Sequence, residues 1–149
     1  MTLLDLVRSE IVRVPLVGRT KDEVIREMIK ILVDAGRFSD MERVYQAILD
    51  REARGSTGLA NGIAVPHAKV DVVSQLEMSI GISREGVDFE ALDGKPSHLF
   101  FLILAPPGQS GPHIELLAEI ARITRSQAFC RALVAAKSPQ EVVELFKAE

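Results

Sequence analysis

The chain has 149 residues, 47% hydrophobic and 26% charged, with a formal net charge of −3 at pH 7. That length fits one domain over residues 1–149 with a core of its own, and the mildly acidic balance, without a Lys/Arg cluster, gives no basis for nucleic-acid binding. A single cysteine excludes an internal disulfide, and no apolar run approaches the roughly 18 residues of a membrane-crossing helix, so no membrane insertion is expected and a reducing cytoplasm is the expected compartment.

Residues 1–8 read as a short helical lead-in with Leu3, Leu4 and Val7 on one side. Ile11, Val12 and Val14, stopped by Pro15, predict a first strand. Thr20-Lys-Asp-Glu23 has the form of a capping box, after which Val24, Met28, Ile31, Leu32 and Ala35 recur at helical spacing until Gly36. Ser39-Asp-Met-Glu42 repeats that start signal. Val44, Tyr45, Ile48 and Leu49 then share one face of a second helix, predicted to run to about Arg54 and to deliver Arg51 close to a glycine-rich loop.

That loop, Gly55 to Gly62, carries glycine and asparagine where positive φ or close backbone approach is needed, so it reads as shaped rather than flexible. Ile63-Ala64-Val65 predicts the start of a buried strand, and Pro66 puts His67 on stiff backbone. Leu76, Met78, Ile80 and Ile82 alternate with Glu77, Ser79 and Gly81, the pattern of a strand with one solvated face. After a turn at Asp93-Gly-Lys-Pro96, the apolar run Leu99 to Ala105 predicts a central strand covered on both sides.

Ala105 to Pro112 reads as a second ordered loop, with Pro112 at the first helical position and His113 opening the helix that carries Leu116, Leu117, Ile120, Ala121 and Ile123. Ser126 and Ser138-Pro139-Gln-Glu141 start two further short helices. Strands interleaved with helices predict an α/β fold: a single three-layer α/β/α domain with a mixed β-sheet flanked by helices.

Two histidines stand out chemically. A neutral imidazole is a competent nucleophile near pH 7, and one whose product carries negative charge needs mainly positioning and nearby donors for charge neutralisation. Around His67 the loop offers backbone N–H groups, Ser56, Thr57 and Asn61, while Arg51 supplies a fixed positive charge. His113, in a helix first turn, sits where the terminus favours a phosphoryl group and disfavours imidazolium, which makes it a neutral hydrogen-bond donor. His98 reads as a structural strand-edge residue, Cys130 as core, and Leu59 as either an exposed apolar contact or a loop anchor. The glycines spell no nucleotide-binding loop, and the widely spaced His67, His98 and His113 have no carboxylate ligand pattern, which argues against a metal site or a cofactor.

Arg51-Glu52, Gly55-Ser56-Thr57-Gly58, Asn61-Gly-Ile-Ala-Val-Pro-His67 and Pro112-His113 resemble the fructose/mannitol-type EIIA domain of the bacterial phosphotransferase system (PTS), including its nitrogen-regulatory branch. The resemblance covers nearly the whole chain. It implies a phosphohistidine-dependent phosphotransferase in which His67 accepts phosphate from HPr and His113 assists. Arg51 is implied as a phosphate or orienting contact, with Thr57 and Asn61 as supporting loop members. It further implies an EIIB partner as acceptor, feeding a fructose- or mannitol-type permease. The alternative it leaves is a regulatory module whose phosphorylation state decides which protein it binds.

Overall fold

A computed structural model describes residues 2–149; Met1 lies outside the described residues. A one-turn helix, α1 (Leu3–Leu6), buries Leu3 and Leu6 and turns Leu4 outward, so the apolar side of the lead-in is Leu3, Leu6 and Val7 and does not include Leu4. A 3-10 turn over Ser9–Ile11 leads into β1 (Val12–Arg13), shorter than the predicted strand at both ends.

The hydroxyl of Thr20 caps α2 (Lys21–Asp34) by accepting from the Glu23 N–H. The Glu23 carboxylate accepts from the Arg19 N–H at 2.8 Å, so only half of the predicted capping box closes. Helix α3 (Met41–Glu52) starts one residue later than the signal at Ser39, because the Asp40 carboxylate takes the Arg43 N–H at 3.2 Å. It also ends at Glu52, short of the expected Arg54, leaving Arg51 in its last turn.

The sheet consists of β1, β2 (Ile63–Ala64), β3 (His67–Lys69), β4 (Glu77–Val87) and β5 (Ser97–Ala105) in the order β1-β4-β5-β2, with β3 also on β5. β4 and β5 are antiparallel, and the other pairings are parallel, which makes the sheet mixed. Helices α4 (Ser110–Ile123), α5 (Gln127–Ala135) and α6 (Pro139–Lys147) complete the α/β fold; Ser126 and Ser138 cap the last two as expected.

β4 departs from its predicted solvated face. Glu77 and Ser79 are as buried as Met78 and Ile80, because helices cover both sides. On one side the Ser79 hydroxyl donates to the Met28 carbonyl of α2 at 2.9 Å, and Glu77 pairs with Arg37 at 2.7 Å. Gly81 is where α2 comes closest: a Cβ there would stand 2.4 Å from the Met28 sulfur. On the other side Phe101, opposite Ile80, stacks edge-on with Phe146 of α6, which in turn meets Phe129 of α5. The alternation was real, but its polar positions are satisfied by α2 and the turn after it rather than by water. β5 is central and covered throughout, as predicted.

β2 and β3 form one interrupted line along β5. Ile63 stands opposite Leu99 and His67 opposite Ile103, so the register does not slip across the gap. The break falls at Val65-Pro66 because proline has no N–H for a ladder, which confines it to sheet edges such as this one. The Val65 N–H turns away to the Thr57 carbonyl at 3.0 Å, tying the glycine-rich loop to the break, while the Pro66 carbonyl still accepts from the Ile103 N–H at 3.0 Å.

α4 begins at Ser110, two residues before Pro112, the predicted first helical position. Pro112 is the third helical residue, and prolines and glycines did not keep 110–112 out of the helix, because N–H groups of the first turn have no intrahelical acceptor anyway. The first ladder bond in that turn is the one from the His113 N–H to the Gln109 carbonyl, 3.1 Å. No helix among the described residues is long and apolar enough to cross a membrane.

Candidate functional site: the paired imidazoles

The open edge of the sheet aims His67. The Val65 carbonyl alternates with the Gly62 and Pro66 carbonyls that bond β5, so it faces that edge, and the His67 Nδ1 sits 2.8 Å from it. A carbonyl only accepts, so Nδ1 carries the proton and the Nε2 lone pair is left free. The ring is half-buried, and its neighbour across the β3–α4 gap is the ring of His113, centroid to centroid 5.3 Å and inclined at 74°. Two segments more than 40 residues apart in sequence are therefore brought together as the sequence predicted. His113 is 6% exposed, and its Nε2 is buried without a hydrogen-bond partner among the described residues.

Burial holds the His67 imidazole below its ordinary value of 6.5; Arg51 and Arg54 push the same way, against the Val65 carbonyl and Glu52. Burial also lowers His113, followed by the charges of His67 and Lys69. Both rings are thus kept neutral at pH 7 by desolvation, the form a nucleophile and a donor need. A stability consequence follows. The unfolded chain takes up protons near pH 6.5, before the folded rings do, so unfolding free energy should fall as pH drops through and below that value and be flat in these groups above it. Urea melts at pH 7.5 and 5.5 check this: a His67→Gln/His113→Gln double variant should lose less stability between the two pH values than the unsubstituted protein.

Arg51 lines the same apolar hollow of about 210 Å³ as His67, Leu59, Val65, Leu117 and Ala121. Its guanidinium donates to the Gly55 carbonyl at 2.9 Å, closing the C-terminus of α3 onto the loop. Leu59 is 40% exposed on the rim, so it is not a buried loop anchor.

The loop donors are largely spent inward. The Thr57 N–H and hydroxyl both go to the Glu52 carboxylate, the former at 3.1 Å, and the Ser56 hydroxyl donates to the Phe89 carbonyl at 2.8 Å. Glu52 in turn pairs with Lys21 at 2.8 Å. Thr57 borders the hollow but is buried, whereas Asn61 lies away from His67. Asn61 adopts φ +64°, donates its N–H to Asp93 at 3.1 Å and lines a separate hollow with Cys130 and Arg131. His98 sits on β5 with its Nδ1 2.9 Å from the Ser83 carbonyl, outside the site.

Sequence reasoning passed over three participants. The Val65 carbonyl was invisible because its freedom depends on its place at the open edge of the sheet. Glu52 has no local signal of its own, since Thr57 and Lys21 reach it through tertiary structure. Lys69 did have one. It stands two residues after His67, and if the strand continues past Pro66 the alternation puts both on one face; its amine lies 3.1 Å from the Ser110 hydroxyl.

The sequence pattern of the family described as "Phosphoenolpyruvate-dependent sugar phosphotransferase system, EIIA 2" matches residues 5–149. The PTS system fructose-specific EIIABC component of Bacillus subtilis is 34% identical over 145 residues, 97% of this chain and 23% of that protein, so the chain spans less than a quarter of that relative. Among solved structures, the nitrogen regulatory protein IIA-Ntr of Neisseria meningitidis matches with a TM-score of 0.88 at 27% identity, covering 96% of this chain and 97% of that one. Enzyme IIA mannitol of Escherichia coli, in complex with phosphorylated enzyme IIB mannitol, matches at 0.82 and 26% identity over 100% of both chains.

Proposed function

We propose that this chain, which belongs to the EIIA 2 family of the phosphoenolpyruvate-dependent sugar phosphotransferase system, forms one such domain over residues 1–149 in the cytoplasm and carries phosphate on His67. Phosphorylated HPr is the donor and a cysteine-bearing EIIB the acceptor, in fructose- or mannitol-type uptake. The observation that carries the reading is the His67 ring itself, with Nδ1 on the Val65 carbonyl and the His113 ring 5.3 Å away.

The Nε2 lone pair attacks phosphorus, the new Nε2–P bond forms as the donor's P–N bond breaks, and the electron pair of that bond stays on the donor ring. The donor ring, protonated at its other nitrogen, leaves as neutral imidazole. His67 becomes a phosphorylated imidazolium, whose Nδ1–H bond to Val65 strengthens as charge appears. Transfer onward repeats these steps with the EIIB thiolate as nucleophile. His113 donates to the phosphoryl oxygens, and Arg51 orients the loop from behind, with Thr57 and Asn61 holding the loop's shape. The hollow edged by Leu59 and Leu117 gives a visiting protein an apolar footing beside the nucleophile.

A regulatory role on the same chemistry is the second reading, favoured by the high structural similarity to a nitrogen regulatory protein. Incubation with phosphorylated HPr should give an acid-labile phosphohistidine under either reading. Transfer from that species to a fructose- or mannitol-type EIIB supports the transport role. Failure to transfer, together with a protein captured by only one of the phosphorylated and unphosphorylated forms, supports the regulatory one.

A further inference from the structure

We propose that Lys69 is the cation that neutralises the phosphoryl group on His67, leaving the Ser110 hydroxyl to do so; this inference rests on the phosphocarrier reading above. His67 and Lys69 are residues i and i+2 of β3, with Ala68 between them buried on the opposite side, so both side chains leave the same face about 7 Å apart. Ser110 and His113 are residues i and i+3 of α4 and share one face of that helix. The two faces meet as two pairs, His67 with His113 and Lys69 with Ser110.

Lys69 is one of several cations without a carboxylate partner among the described residues, and what sets it apart is its place on the face of β3 that carries His67. Lys21, Lys30 and Arg43 each hold a carboxylate, and Arg51 is committed to the Gly55 carbonyl. The Lys69 amine rests on a neutral hydroxyl at 3.1 Å, close enough to the imidazole pair for its charge to act on His113. A dianionic phosphoryl group on Nε2 of His67 offers that flexible ammonium a far stronger acceptor within side-chain reach. The buried Nε2 of His113, without a partner among the described residues, leaves a second group waiting on the same side. No bond to Lys69 is made or broken in the transfer; the amine keeps its protons and donates N–H to phosphoryl oxygen.

Lys69→Met keeps the side-chain length and removes the charge, and Lys69→Arg restores the charge. With phosphorylated HPr as donor, Lys69→Met is expected to accept phosphate on His67 roughly tenfold more slowly, and Lys69→Arg to recover most of that loss. In the phosphorylated product, the second ionisation of the phosphoryl group, followed by its phosphorus NMR shift, should move up by about half a pH unit in Lys69→Met, since the neighbouring ammonium no longer favours the dianion. A phosphoryl titration unchanged by Lys69→Met overturns the inference, even if the rate falls, because a residue serving only partner docking would change the rate alone. Absence of labelling at His67 in the unsubstituted protein overturns the phosphocarrier reading and the inference with it.

Discussion

Replacing His67 by alanine is expected to lower phosphate acceptance from phosphorylated HPr by at least roughly a thousandfold, while His113→Ala still accepts phosphate but more slowly, by roughly 10- to 100-fold. The asymmetry comes from what each ring can do. His67 has its Nδ1 proton committed to Val65 and a free Nε2 lone pair on a half-buried ring. His113 is 6% exposed with a buried Nε2 that has no partner among the described residues, which suits a donor to an adjacent anion and gives no route for a phosphorylated partner to reach it. Quantitative labelling followed by mild acid treatment separates the two variants; equal losses in both would mean that the reaction needs the two imidazoles equally and contradict the asymmetry.

The second large effect is on stability and loop geometry. Glu52→Ala should cost about 3 kcal/mol in denaturant unfolding, with Glu52→Gln costing about half as much because an amide oxygen still accepts from Thr57. The Glu52 carboxylate holds three groups at once: the Thr57 N–H, the Thr57 hydroxyl and the Lys21 amine. Only 6% of its side-chain surface is exposed, so removing it leaves partners short of water as well as of acceptors. Through Thr57 the effect reaches the site, because the Thr57 carbonyl takes the N–H of Val65, the residue whose carbonyl orients His67. Glu52→Ala should therefore also slow phosphate acceptance, whereas the same loss of stability introduced on the opposite face of the sheet, for example by Met28→Ala in α2, should not.

The chain's periodicities carried most of the fold, and the failures have local causes. α2 announced both its apolar face and its cap, and α5 and α6 announced their caps, because these depend on residues within one or two turns. The alternation in β4 correctly announced a strand, yet the side chains of Glu77 and Ser79 find Arg37, in the turn after α2, and Met28 of α2, and composition cannot distinguish a polar residue facing water from one facing another element. At α4 the glycine and proline of Gly111-Pro112 looked like loop, although a helix's first turn tolerates both.

For the site, the proximity of His67 and His113 was legible only through the family resemblance, since neither histidine's local sequence points to the other. The placement of Asn61 away from His67 was not, since it depends on the left-handed backbone at that residue and on Asp93 across the loop. Lys69 was not legible because the apolar run that announces the start of the strand ends at Val65, and nothing beyond Pro66 marks its continuation. The sheet resumes beyond Pro66, in the same register, and carries the lysine onto the histidine's face.

The central claim is that the open sheet edge leaves the Val65 carbonyl to fix the tautomer of His67, so that Nε2 alone is the attacking nitrogen. Nitrogen-15 and phosphorus NMR of the protein labelled at its histidines, before and after phosphorylation, reads this directly. The free protein should show His67 protonated at Nδ1, and the phosphorylated protein a phosphorus coupled to Nε2 of the same ring. Phosphorus coupled to Nδ1 of His67, or to either nitrogen of His113, would contradict the account.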